Sequence, residues 1–95
     1  MRFNDYSNKM IDNKPAIWLQ QYGWCEAKPA SEFKVGEYMR WNTGSSSKVV
    51  EIVRETPKMV VVMEEWIGWG GEVKRSERKL KKDRWVAIGS EESMR

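Results

Sequence analysis

"KVVEIVRETPKMVVVMEEWI", Lys48 to Ile67, is the stretch whose reading decides the fold. Two runs rich in Val, Ile and Met flank Pro57, and β-branched side chains at this density pack best on a pleated sheet. Proline cannot donate to a strand ladder, so Pro57 marks a break between two strands and not the middle of one.

On the C-terminal side, "GWGG" (68–71) is a glycine turn and "EVKRSER" (72–78) returns as a strand. "LKKD" (80–83) suits a single tight helical turn, and "WVAIG" (85–89) a last strand. On the N-terminal side, "TGSSS" (43–47) is a flexible loop. "YMRWN" (38–42) alternates, with Met39 and Trp41 on one side and Tyr38 and Arg40 on the other. "PASEFKVGE" (29–37) is a turn-rich crossing in which Gly36 supplies a permissive backbone, and "WCEAK" (24–28) is a short strand. In "NKPAIWLQQYG", Asn13 can cap a helix, Pro15 fits its first turn and Gly23 can close it. Trp18 and Tyr22, four apart, would share its face. The expectation is a helix of about one and a half to two turns.

About five or six short strands in 95 residues read as an all-β chain with small α content. The expected architecture is an SH3-like small antiparallel β-barrel with a short N-terminal helix. Closing the sheet would also hide the edge that "MVVVM" presents to aggregation. Val35, Met39, Trp41, Val50, Ile52, Val60, Val62, Leu80, Val86 and Ile88 are the expected core. Residues 13–89 form the domain, 1–12 a loose arm and 90–95 a frayed tail.

With one cysteine, Cys25, and no histidine, the chain has no internal disulfide and lacks the commonest general base and metal ligand. Glu64 and Glu65 are adjacent on a strand and point to opposite faces, so they cannot easily share a proton. "GWGGE" lacks the Lys and the helix of a phosphate-binding loop. The expectation is therefore a non-enzymatic protein without cofactor or metal. The N-terminus has no signal-like apolar run, which makes the expected location the cytoplasm.

Charge is unevenly placed. Residues 1–71 carry nine Lys/Arg and nine Asp/Glu, whereas 74–84 carry seven against two. Such asymmetry fits an anionic partner. Lys74, Arg75, Arg78, Lys79, Lys81, Lys82 and Arg84 would form one positive ridge, with Trp66 and Trp69 on the hairpin before it. Cations beside exposed aromatics are the makeup of a nucleic-acid surface. The alternative is an inhibitor of a host protein, with Trp66, Trp69 and Trp24 plus Arg40 or Arg54 as its hot spot. Glu64 and Glu65 near the tryptophans favour that alternative. The third reading is a purely structural role, as an accessory piece of a larger particle or an oligomer that buries the tryptophan hairpin against itself, and the plain reading of the basic run is a solvated face. Nucleic acid leads.

"ASEFKVGEYMRWNTGSSSKVVEIVRET" (30–56), followed by a glycine turn and "RKLKKDRWVAI" (78–88), resembles an uncharacterised group of short proteins of phages and prophages of Gram-positive bacteria. Its markers are the "KVGE" turn, "WN" before a loop, and "KKDR" before an apolar strand. Glu37 stands where Asp is commoner and Trp85 where Leu is expected. The resemblance implies a phage gene product, acting in the host cytoplasm, and assigns no site.

Overall fold

The computed structural model describes residues 8–94. Eight strands follow one another: β1 (Asn8–Ile11), β2 (Lys14–Leu19), β3 (Gly23–Pro29), β4 (Tyr38–Arg40), β5 (Ser46–Glu55), β6 (Met59–Ile67), β7 (Val73–Lys81) and β8 (Trp85–Ile88). They form one sheet in the order β1-β2-β3-β8-β4-β5-β6-β7, and every pairing is antiparallel. The end strands, β1 and β7, do not pair, so among the described residues the expected barrel is not closed by a ring of strands. At its C-terminal end β7 is met by a turn instead. The N–H of Ala30 donates to the Arg84 carbonyl (2.8 Å) and that of Ser31 to the Lys82 carbonyl (3.2 Å).

The quoted stretch folds as expected, with Pro57 at the β5–β6 turn. There the N–H of Met59 donates to Thr56 Oγ1 (3.0 Å), and proline's fixed φ suits the corner. "KVGE" closes as a tight turn: Gly36 has φ +96°, and the Glu37 N–H donates to the Lys34 carbonyl (3.0 Å). A positive φ at the third turn position is the type II requirement that glycine meets without strain.

The expected N-terminal helix is a hairpin. Asp12 and Asn13 both have positive φ (51° and 64°), and Ile11 pairs with Lys14 around them. That is a two-residue turn of the kind Asn and Asp support, so Asn13 turns a hairpin where a helix cap was expected. With Ile11–Lys14 as the bonded pair flanking the turn, Met10–Pro15 is a non-bonded pair, and the missing N–H of Pro15 costs no bond to β1. Trp18 pairs with Trp24 across strands, not with Tyr22 along a helix; the two indoles meet edge to face at 5.6 Å. No α-helix occurs among the described residues.

Part of the expected loose arm is therefore β1; residues 1–7 lie outside the described residues. The expected tail docks as well. Glu92–Met94 make a 3₁₀ turn, Ser93 Oγ bonds Ser46 Oγ, and both Ser90 and Ser93 accept from Arg40 (3.3 and 3.1 Å).

The core gathers Ala30, Phe33, Met39, Val49, Val60, Val62, Leu80 and Val86, with Trp41, Ile52 and Ile88 packed at its border. Val35, an expected core residue, is 58% exposed because it sits on the "KVGE" turn. Val49, not Val50, is fully buried. Register shifts between Val49 and Glu51 and between Ile52 and Arg54 break strict alternation along β5 and curl the sheet. No helix among the described residues is long and apolar enough to cross a membrane.

Candidate functional site

Strand alternation divides the basic run. On β7, Lys74, Ser76, Arg78 and Leu80 share a face, and Leu80 is core, so this is the inner face of the curl. Arg75, Glu77, Lys79 and Lys81 face outward. The run is thus not one ridge, and much of it is neutralised. Lys74 lies 3.5 Å from Glu72, Arg75 2.8 Å from Glu65, Arg78 2.9 Å from Glu64 and Lys82 2.9 Å from Glu55. Lys79, Lys81 and Arg84 have no carboxylate at ion-pair distance among the described residues.

Next to Leu80 the inner face turns from apolar to polar. Glu64, 2% exposed, accepts from Ser47 Oγ (3.0 Å) and from Arg78 Nε (2.9 and 3.0 Å). Trp41 Nε1 donates to Ser47 Oγ (3.0 Å), and the Arg78 guanidinium returns to lie 4.1 Å from the centre of the Trp41 ring. The four side chains close a loop that satisfies the buried carboxylate and fixes the indole. Arg84 lies 5.8 Å from the same ring.

Trp41 stands at the junction of two hollows. One, of about 300 Å³, holds Ser47, Glu64, Trp66, Ser76 and Arg78. The other, of about 140 Å³, lies between β2, β4 and β8 and is lined by Trp18, Arg40, Asn42, Arg84, Trp85 and an apolar floor. The first adjoins a third and shallower hollow through Ser45, Trp66 and Ile67, which continues to Trp69 and Lys74. Trp69 projects wholly into solvent from the β6–β7 turn. Five of the six tryptophans thus line one track, interleaved with Arg40, Arg84, Arg78 and Lys74. Among the described residues Glu64 is the one carboxylate in its lining, and Arg78 neutralises it.

Of the sequence-derived site residues, Trp66, Trp69, Lys74, Arg78 and Arg84 come together on this track. Arg75, Lys79 and Lys81 are on the far face of β7, and Lys82 is held by Glu55. Trp18, Arg40, Trp41 and Trp85 are track residues that the basic run did not reveal. The signal for them was a tryptophan count larger than a small core needs.

Cys25 is half-buried and donates to the Ile88 carbonyl (3.4 Å). Burial pushes its thiol up, more than the nearby Arg40 charge lowers it. Among the described residues no three His, Cys, Asp or Glu gather to hold a metal ion. Comparison with known proteins finds no matching family model, no matching curated protein and no matching solved structure.

Proposed function

We propose that this protein is a non-enzymatic, phage-type binding protein that engages single-stranded nucleic acid along the tryptophan track. The observation that carries the reading is the track itself: tryptophans from β2, β6, β8, the residue after β4 and the β6–β7 turn, interleaved with four cations. Stacked bases on such rings contribute about 1–3 kcal/mol each, and cations track the phosphates. A curled antiparallel sheet is a fitting scaffold, and its kinship to SH3-like small barrels belongs to this proposal.

Salt dependence tests it. Three or four phosphate contacts with a single strand give a slope of log K against log salt of about −2 to −3. Raising salt from about 50 to 200 mM should then weaken binding roughly 20- to 50-fold. Arg84→Gln should flatten that slope. Trp69→Ala should weaken binding and leave the slope unchanged. Joint replacement of Lys79 and Lys81 by Gln should change little, since both lie off the track.

One observation favours a second reading. Trp69 is fully exposed on a hairpin whose neighbouring cations are paired with Glu64, Glu65 and Glu72, a makeup suited to a protein surface. An absence of affinity for any oligonucleotide at about 50 mM salt would remove the nucleic-acid reading and leave the inhibitor of a host protein.

A further inference from the structure

The sheet ends at β7 in an unpaired edge, and we propose that this edge pairs antiparallel with β7 of a second copy of the chain, Ser76 opposite Ser76. The free backbone groups follow from the β6–β7 ladder. The Gly68 N–H donates to the Glu72 carbonyl (2.8 Å) and the Lys82 N–H to the Lys58 carbonyl (2.9 Å), so residues 74, 76, 78 and 80 make the bonds to β6. Val73, Arg75, Glu77 and Lys79 direct their N–H and C=O groups the other way, and no loop or turn among the described residues bonds to them. Ala30 and Ser31 bond to the chain only beyond β7, at Arg84 and Lys82.

Shortness, bulges, proline and charge are the devices that close a sheet edge, and β7 has only the last. It runs nine residues against β6 without a register shift, and it contains neither Pro nor Gly. Its charge is balanced locally. Lys74, Arg75, Arg78 and Lys79 stand with Glu72, Glu65, Glu64 and Glu77, and the first three cations are already paired with the first three carboxylates. An edge so close to neutral suits a copy of itself better than a strongly acidic segment.

Register is set by the same charges. Free backbone groups meet only when odd-numbered residues oppose odd-numbered ones. With Ser76 opposite Ser76, residues 73–79 of the two copies form about eight backbone hydrogen bonds. Arg75 then faces Glu77 of the second copy at both symmetry-related contacts, and Val73, 59% exposed, is covered by the Lys79 stem. A shift of two residues one way sets Arg75 against Arg75, and the other way Glu77 against Glu77 and Arg75 against Lys79. A shift of four sets Arg75 against Lys81 and Arg78 against Arg78. On the inner face Lys74 lies opposite Arg78 of the second copy, a repulsion that Glu72 and Glu64 limit. Opposed residues share a face, so the pairing lays the inner faces of both copies side by side. Under the strand-binding reading, the two tryptophan tracks then meet at a seam of Lys74 and Arg78.

Sedimentation equilibrium in the absence of nucleic acid tests the pairing, over about 1 to 300 µM protein. The wild-type mass should rise from 11.2 kDa toward twice that value. Glu77→Arg sets Arg against Arg at both contacts and Arg75→Glu sets Glu against Glu, so each variant alone should associate about tenfold more weakly. An equimolar mixture of the two restores a pair of opposite charges at each contact and should recover the wild-type association. Glu77→Pro removes an N–H that only the second copy uses and should abolish it. The charge variants, at exposed positions, stand even if the proline variant does not fold. A wild-type mass that stays at 11.2 kDa overturns the pairing and leaves the edge to solvent or to a strand of another protein. A dimer that every variant leaves intact overturns β7 as its seam. Weakened single variants without recovery in the mixture overturn the Ser76 register. None of these outcomes bears on strand binding, which the oligonucleotide measurements test separately.

Discussion

Replacing Arg78 by Gln removes the counter-ion of a carboxylate that the fold has taken out of water. The Glu64 side chain is 3% exposed and that of Arg78 is 40% exposed, so the pair is buried at one end and wet at the other. A hydrogen bond to a charged group contributes about 1.5–3 kcal/mol, and breaking a fully buried pair costs about 3–5 kcal/mol. The exposure of Arg78 brings the expected loss toward the lower figure. Its stacking on Trp41 adds about 0.5–1 kcal/mol. Together these give a loss of about 2–3 kcal/mol for Arg78→Gln. A chain of this length has about 5–15 kcal/mol of stability, so the variant stays folded and measurable.

Urea unfolding followed by tryptophan fluorescence is the assay, run on Arg78→Gln, Glu64→Gln and the double variant. The double variant should be no worse than the poorer single one, with a coupling energy of about 1.5–2.5 kcal/mol. A coupling below about 0.5 kcal/mol, the value of an exposed pair, would refute the reasoning. It would mean that Glu64 keeps its solvation by another route and that Trp41 is not held by this loop.

Three further outcomes are expected. Burial pushes the Glu37 carboxyl up, but hydrogen bonds from Lys28 Nζ and the Lys34 N–H outweigh it and hold it below its ordinary range. Its contribution is therefore present above the unfolded value and lost as pH falls through the folded one; Glu37→Gln should cost about 0.5–1 kcal/mol near pH 7 and progressively less as pH falls below the ordinary carboxylate range, and a penalty independent of pH would contradict this. Cys25, its thiol raised by burial, should react with iodoacetamide at pH 7 more slowly than it does in urea, and equal rates would speak against the buried geometry. Asn13→Ala should cost about 1–2 kcal/mol through its left-handed φ, while Asn13→Gly should be near neutral; equal melts for all three proteins would rule out the hairpin turn.

Local chemistry made the strands from β3 onward legible. Pro57 and Gly36 mark corners because their backbone preferences act without help from distant residues. The alternation of Met39 and Trp41 against Tyr38 and Arg40 survives because it needs only the pleat. The segment from Asn13 to Gly23 carries helix signals yet forms a hairpin for an equally local reason: Asn, Pro and Gly serve helix ends and hairpin turns alike. Pairing with β1 and β3 decides between them.

Register and pairing across strands were beyond the sequence. Val49 displaces Val50 from the core because β5 slips against β6, which only the partner strand reveals. The run from Lys74 to Arg84 reads as uniform positive charge until β6 sets Glu64 and Glu65 beside Arg78 and Arg75. The candidate site is the furthest from local. Trp18, Trp41, Trp66 and Trp85 are scattered along the chain, and the strand order β2-β3-β8-β4-β5-β6-β7 brings them to one track. Composition determined that tryptophan and cationic side chains exceed what a small core absorbs. Which of them share a surface is a property of strand pairing, whose hydrogen bonds join residues dozens of positions apart.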